Sequence, residues 1–231
     1  VLVNDPYIGG THHNDMRTIM PVYLEEDLAG FVQNSMHWTD MGGHVPGTFD
    51  PTAQSSYGEG LAVPPVHIVR EGIFQSEVVD LILRNVRLED QARGDLLTSV
   101  GAVRLGERRL QDLAAKYDNA TVIGAMDELI DYSEDLLRSE FAKLPDGVWR
   151  VEALMDKDPG SDSDDPLAAL MTLTVEGDRM RMDFSDSDSP AKGAMNSTEA
   201  VTISSAVVTM KMIFPDIPMN QGVFRAIDFV L

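Results

Sequence analysis

The hydrophobic period of this chain changes twice, and that succession limits the fold more than any single residue does. Residues 1–72 are dense in Gly, Pro and His, with short apolar runs at Ile19–Leu24 and Gly30–Met36 that predict strands between loops. From Phe74 the spacing becomes helical. Val78, Leu81, Ile82 and Asn85 share one side of a first helix that Gly94 should interrupt, and a second helical stretch follows from Asp95 to Tyr117. Ile123, Met126, Ile130, Leu137, Phe141 and Leu144 then recur at spacings near three and four, the clearest helix of the chain, and Pro145-Asp146-Gly147 ends it. Beyond this turn the period drops to two: Trp149, Val151 and Ala153 alternate with Val148, Arg150 and Glu152, and two apolar runs flank Glu176-Gly177-Asp178 as a hairpin. Asn196 and Glu199 resemble the start of a last helix, which Pro215 and Pro218 stop. The expected fold class is α+β: a loop-rich region over 1–72, a helical region over 73–145, and antiparallel strands plus one helix over 146–231.

Charge and cysteine usage exclude several functions. Lys and Arg number 18 against 38 Asp and Glu, a formal net charge of -20, which repels a nucleic-acid backbone. With no cysteine, the chain has no disulfide framework, thiolate zinc site or Cys nucleophile, and the cytoplasm is the expected compartment. No apolar run is long enough to span a bilayer, so no membrane association is expected. Val1-Leu2-Val3 opens the chain inside one apolar segment and Ala226 to Leu231 closes it inside another, which reads as an internal fragment of a longer polypeptide.

Four of the five histidines, His12, His13, His37 and His44, fall within 33 residues of the Gly-rich region. Two segments there share the form His-x-x-Asp: His12-His13-Asn14-Asp15 and His37-Trp38-Thr39-Asp40. That spacing lets an imidazole and a carboxylate point at one ion from a single turn. Neutral imidazoles with carboxylates suit zinc, manganese or ferrous iron and are poor ligands for magnesium or calcium. His67, in the apolar run Val63–Val69, reads as structural, and the acidic tract Asp156–Asp165 lacks the Gly and Glu of a calcium loop and reads as solvated. Met180, Met182, Met210 and Met212 read as core filler. Gly42-Gly43-His44-Val45-Pro46-Gly47-Thr48 has no Lys before its Thr and is no phosphate-binding loop.

Asn4-Asp5-Pro6-Tyr7-Ile8-Gly9-Gly10-Thr11-His12, His37 through Gly43, and Tyr57, Glu59-Gly60 and Pro64-Pro65 together resemble the hydantoinase B/5-oxoprolinase family, which includes subunits of acetone and acetophenone carboxylases. Asn85-Val86-Arg87, Gly94-Asp95, Leu144 to Gly147, Asp183-Phe184-Ser185 and Pro218 to Gly222 extend the resemblance over nearly the whole chain, in family order. It implies one family domain, truncated at both ends, whose B-type subunit bears a divalent metal, zinc or manganese before iron, on His12, Asp15 and His37. A further acidic ligand is expected from a segment before Val1. ATP would be bound by a partner A-type subunit, which phosphorylates a cyclic amide that metal-activated water then hydrolyses. Asp40 would orient His37 or take a proton from that water, and His44 could take the proton instead. The resemblance leaves two alternatives: carboxylation of a ketone, or a non-catalytic structural paralogue. His13 stands where hydantoinases commonly have an apolar residue, and the resemblance gives it no role.

Overall fold

The computed structural model describes residues 1–231, which pack as two compact units, Val1–Val122 and Ile123–Leu231. In chain order the first contains β1 (Leu2–Val3), β2 (Asp15–Leu24), β3 (Asp27–His37), the short α1 (Ser56–Glu59), β4 (Val69–Arg70), β5 (Ile73–Phe74), α2 (Ser76–Leu83) and α3 (Glu89–Tyr117). The border between the units falls within α4 (Asn119–Phe141). The second continues with β6 (Gly147–Met155), β7 (Leu167–Glu176), β8 (Arg179–Asp183), α5 (Glu199–Ile213), α6 (Gln221–Arg225) and β9 (Ile227–Val230). The fold class is α+β, as the two changes of period imply.

In the first unit, β2 and β3 are not separate strands between loops but one hairpin of ten and eleven residues, joined at Glu25-Glu26 and flanked by β1. Met16, Thr18, Val22 and Leu24 turn inward from β2, the period of two that a one-sided sheet requires. The long helix α3 lies on this hairpin. It presents Ala92, Leu96, Ser99, Val100 and Val103 on one stripe, and the Ser99 hydroxyl reaches Asn34 Oδ1 of β3 at 2.6 Å. Gly94, expected to interrupt the helix, lies inside it with open space about its Cα. The break between the two helical stretches falls instead at Arg84 to Leu88, between α2 and α3, and one exposed glycine inside a helix has only a modest cost. Leu2, Met16, Trp38, Met41, Ile68, Leu83 and Leu96 close the core beneath the loops.

The second unit holds a four-stranded sheet in the order β6-β7-β8-β9. The first three strands form the expected antiparallel meander, but β9 lies parallel to β8, so the sheet is mixed. The chain between them travels through α5 and α6, the crossover that a parallel pair needs. The cap of α5 is Thr198, whose hydroxyl accepts from Val201 N–H, rather than Asn196, which is spent on Ala191 and Gly193. Met180, Met182 and Met210 fill the core of this unit, whereas Met212 is exposed. In the Pro218 to Gly222 segment, Asn220 caps α6 and donates to the Leu129 carbonyl and the Ser133 hydroxyl of α4. Gly222 packs so closely on the α4 backbone that a Cβ would lie 2.7 Å from Glu134 N. No helix is long and apolar enough to cross a membrane.

Candidate metal centre

The open end of the β2/β3 hairpin carries the histidine cluster. Asp15 and His37 are directly opposite each other, the terminal pair of the ladder. One residue further in, Met16 and Met36 turn to the core, so by alternation Asp15 and His37 project from the other face. Asn14 fixes that end. Its carbonyl accepts from Trp38 N–H at 2.8 Å and its side-chain amide donates to the Trp38 carbonyl at 2.8 Å, continuing the pairing by one residue around the buried indole. His12 arrives by a turn in which Asp15 N–H donates to the His12 carbonyl at 3.1 Å.

These elements converge three side chains. His12 Nδ1 lies 2.9 Å from Asp15 Oδ2, and the His12 and His37 ring centroids are 5.1 Å apart. One ligand atom from each of His12, Asp15 and His37 lies within 4.8 Å of the others. Two ligands each about 2.1 Å from a tetrahedral ion are about 3.4 Å apart, so side-chain rotations that move the ligand atoms by about an ångström close the set. Both imidazoles are exposed and Asp15 is half-buried, which leaves that adjustment unopposed and the centre open on one side. The Thr11 hydroxyl donates to Asp15 Oδ2 and holds the carboxylate toward the histidines. Two nitrogens and one oxygen donor therefore fit a borderline divalent cation.

The second His-x-x-Asp behaves differently. Asp40 is buried, and neither of its oxygens is bonded to His37. Oδ1 accepts from Gly42 N–H at 2.8 Å and Arg87 N–H at 3.1 Å, while Oδ2 accepts from Gly47 N–H at 2.8 Å and Arg87 Nη1 at 2.9 Å. Burial alone would raise its pKa, but these bonds, with Gly47 and Gly42 ahead of Arg87, hold it below the usual carboxylate range. A carboxylate so engaged is a poor proton acceptor and has no free lone pair for an imidazole. Asp40 instead folds the Gly42 to Gly47 loop, and the expectation that it orients His37 or takes a proton is corrected on that ground. Arg87, which sequence reasoning gave no role, completes this hub by donating also to the carbonyls of Gly42, Gly43 and Val45. Nothing in the sequence signals a contact between a loop and an arginine some forty residues later.

His44 is exposed on the same loop, its ring packed over Gly58, and is not among the converging side chains. His13 turns inward, with Nε2 3.2 Å from the Ser56 hydroxyl and Nδ1 3.7 Å from Glu59. Burial lowers its pKa against the opposing pull of Glu59 and Asp5, so it is a neutral internal strut. Asn4, fully buried, donates to the carbonyls of His13 and Leu61 and accepts from Val63 N–H, tying the His12 loop to the 60–63 segment. His67 is exposed rather than part of the core, because the run around it is an irregular segment that turns only Val63 and Ile68 fully inward. In the acidic tract, Asp158 is the exception to solvation, buried and accepting from the N–H groups of Gly160, Lys192 and Gly193.

An uncharacterized protein of Methanocaldococcus jannaschii is 31% identical over 231 residues, all of this chain and 40% of that protein. Caprolactamase subunit beta of Pseudomonas jessenii is 30% identical over 227 residues, 97% of this chain and 38% of the relative. The crystal structure of the ATP-dependent caprolactamase from Pseudomonas jessenii superposes with a TM-score of 0.91 at 29% identity, over 100% of this chain and 39% of that one. The chain thus spans about two fifths of the length of these relatives. The profile of the hydantoinase B/oxoprolinase family matches residues 1–231 from end to end, and the chain belongs to that family.

Proposed function

We propose that this chain is the metal-bearing part of a B-type subunit in an ATP-dependent cyclic amide hydrolase, with the ion on His12, Asp15 and His37. The observation that carries the reading is the cross-strand pair Asp15 and His37, joined by His12 on an exposed rim with all three ligand atoms within 4.8 Å. When bound, zinc or manganese there would acidify water and polarise a carbonyl. The chain's own residues supply the rest of the site. The Asn14 and Trp38 bonds hold two ligands on a rigid ladder end, Thr11 aims the Asp15 carboxylate, and the Asp40 and Arg87 hub shapes the adjoining loop. The exposed side of the trio leaves room for a small amide ring to approach. The relative named caprolactamase acts, by its name, on a lactam and is called ATP-dependent and a subunit, which supports a cyclic amide substrate and a separate ATP-binding A-type partner.

Metal analysis of the purified protein tests the first step: about one equivalent of zinc or manganese in the unaltered chain, and loss of it in His37→Ala. Activity is tested on the complete protein with an A-type partner and ATP, using a lactam, a hydantoin and 5-oxoproline. Ring opening coupled to ATP cleavage supports the hydrolase. Fixation of labelled bicarbonate into a ketone would replace it with the carboxylase reading. Full turnover by His37→Ala would remove the metal from the reaction.

A further inference from the structure

Strand β6 is the free edge of the sheet in the second unit, hydrogen-bonded to β7 on one side only. Every residue from Val148 to Met155 is exposed, including Val148 at 64%, Val151 at 53% and Leu154 at 60%. A long, apolar, unprotected edge is a template for another strand, and soluble proteins rarely leave one uncovered. Its order of side chains specifies which strand fits.

The nine residues Gly147–Met155 have Val151 at their centre, with Arg150 and Glu152 on either side of it and Val148 and Leu154 beyond. Neither Arg150 nor Glu152 has an ion-pair partner within the chain. A second copy laid antiparallel about a two-fold axis normal to the sheet keeps the two faces aligned and pairs residues of like parity. Centred on Val151, such a pairing uses the whole strand and sets Arg150 opposite Glu152 of the other copy twice over, with Val148 opposite Leu154 twice. Centring on Arg150 or on Glu152 would instead set like charges against each other at the axis, which is destabilising. The register of greatest overlap is therefore also the one with complementary charge. We infer that β6 is a self-complementary docking edge through which two copies of this chain join their four-stranded sheets into one continuous sheet.

The absence of cysteine makes the register directly testable. Opposed residues in an antiparallel pair have Cα atoms about 4.5–5.5 Å apart, inside the roughly 4.4–6.8 Å window of a disulfide. Val151→Cys should therefore give a covalent dimer on treatment with diamide, while Leu154→Cys, whose two thiols lie far apart along the strands, should stay monomeric. In sedimentation equilibrium the complete protein that contains this chain should approach twice its monomer mass with rising concentration. Arg150→Glu alone and Glu152→Arg alone should each weaken association by about tenfold or more, and the double swap should restore it. A chain that stays monomeric up to about 1 mM, the weak limit of specific association, overturns the proposal and assigns the edge to a different partner. Equal cross-linking at positions 151 and 154, or dimers indifferent to the single charge reversals, overturns the register and with it the inference.

Discussion

Replacing Asp40 with Asn tests whether this carboxylate is a structural hub or a proton carrier. Its two oxygens each accept two hydrogen bonds, from Gly42 and Arg87 N–H on one side and from Gly47 N–H and Arg87 Nη1 on the other. An amide keeps one oxygen and sets an NH2 against two donors, whichever way it is turned. Bonds to a charged acceptor contribute about 1.5–3 kcal/mol each, but the Arg87 side chain is 40% exposed and Nη1 keeps the Gly42 and Val45 carbonyls. The expected cost is therefore about 3 kcal/mol, nearer the sum of one strong and one weakened bond than of two strong ones. For a unit of 122 residues this lowers the midpoint of thermal unfolding by about 10 °C. The chain has two tryptophans, Trp38 buried two residues before Asp40 and Trp149 exposed in the other unit. Fluorescence in a Trp149→Phe background therefore reports the unit that holds the site. A Trp38 transition that moves by less than about 2 °C would refute the hub, since a change that small corresponds to well under 1 kcal/mol. Loss of turnover with an unmoved transition would return Asp40 to the chemistry.

Asp15→Asn should do the reverse, weakening zinc or manganese binding by at least about 100-fold in calorimetric titration while the Trp38 midpoint changes little, because the residue is half-buried and is the proposed ligand rather than a strut. Gly43→Ala should cost about 2–4 kcal/mol by the same fluorescence readout, as its φ of +80° is left-handed and a Cβ would press into the Glu59 carbonyl and lie 2.7 Å from that of Gly58. Gly124→Ala, with open space around it in α4, should instead stabilise by roughly 0.5–1 kcal/mol. Because the folded pKa of Asp40 is lowered, its stabilisation is complete above the unfolded carboxylate value near 3.9 and is lost as pH falls from there through the lower folded pKa. Acid unfolding followed by Trp38 should accordingly steepen below about pH 4, and Asp40→Asn should flatten that limb.

The elements legible in the sequence are those whose pattern is local. The β7/β8 hairpin around Gly177, the long helices and the convergence of the histidines each follow from spacings within a few residues or from a dense cluster. What was not legible depends on distant partners. The parallel placement of β9 is set by a crossover through two helices, and nothing within Ile227–Val230 records which edge it joins. The continuity of α3 through Gly94 is decided by the hairpin beneath it, since packing over a long stripe outweighs one unfavourable residue. Arg87 and Asn4 act across 47 and 57–59 residues, where no periodicity connects them to the loops they bind. His67 is exposed although its neighbours are apolar, because burial of a loop residue is fixed by the turn it occupies.

The two His-x-x-Asp segments show how little a motif fixes by itself. Both place a carboxylate three residues after an imidazole, both begin or end at the same ladder rung, and the residue types are identical. In the first, the chain turns back after His12, so Asp15 starts β2 beside its own histidine and across from His37. In the second, the chain leaves the ladder at Trp38 and moves inward, so Asp40 enters a buried site lined by N–H donors. Desolvation without such donors would make that position intolerable for a charge, and four of them make it a folding centre. The half-buried Asp15 faces two exposed imidazoles, whereas every acceptor position of the buried Asp40 is engaged by an N–H donor. The proposed ligand and the strut therefore differ in which side of the ladder's last pair the chain takes, at the end that the Asn14 and Trp38 hydrogen bonds fix.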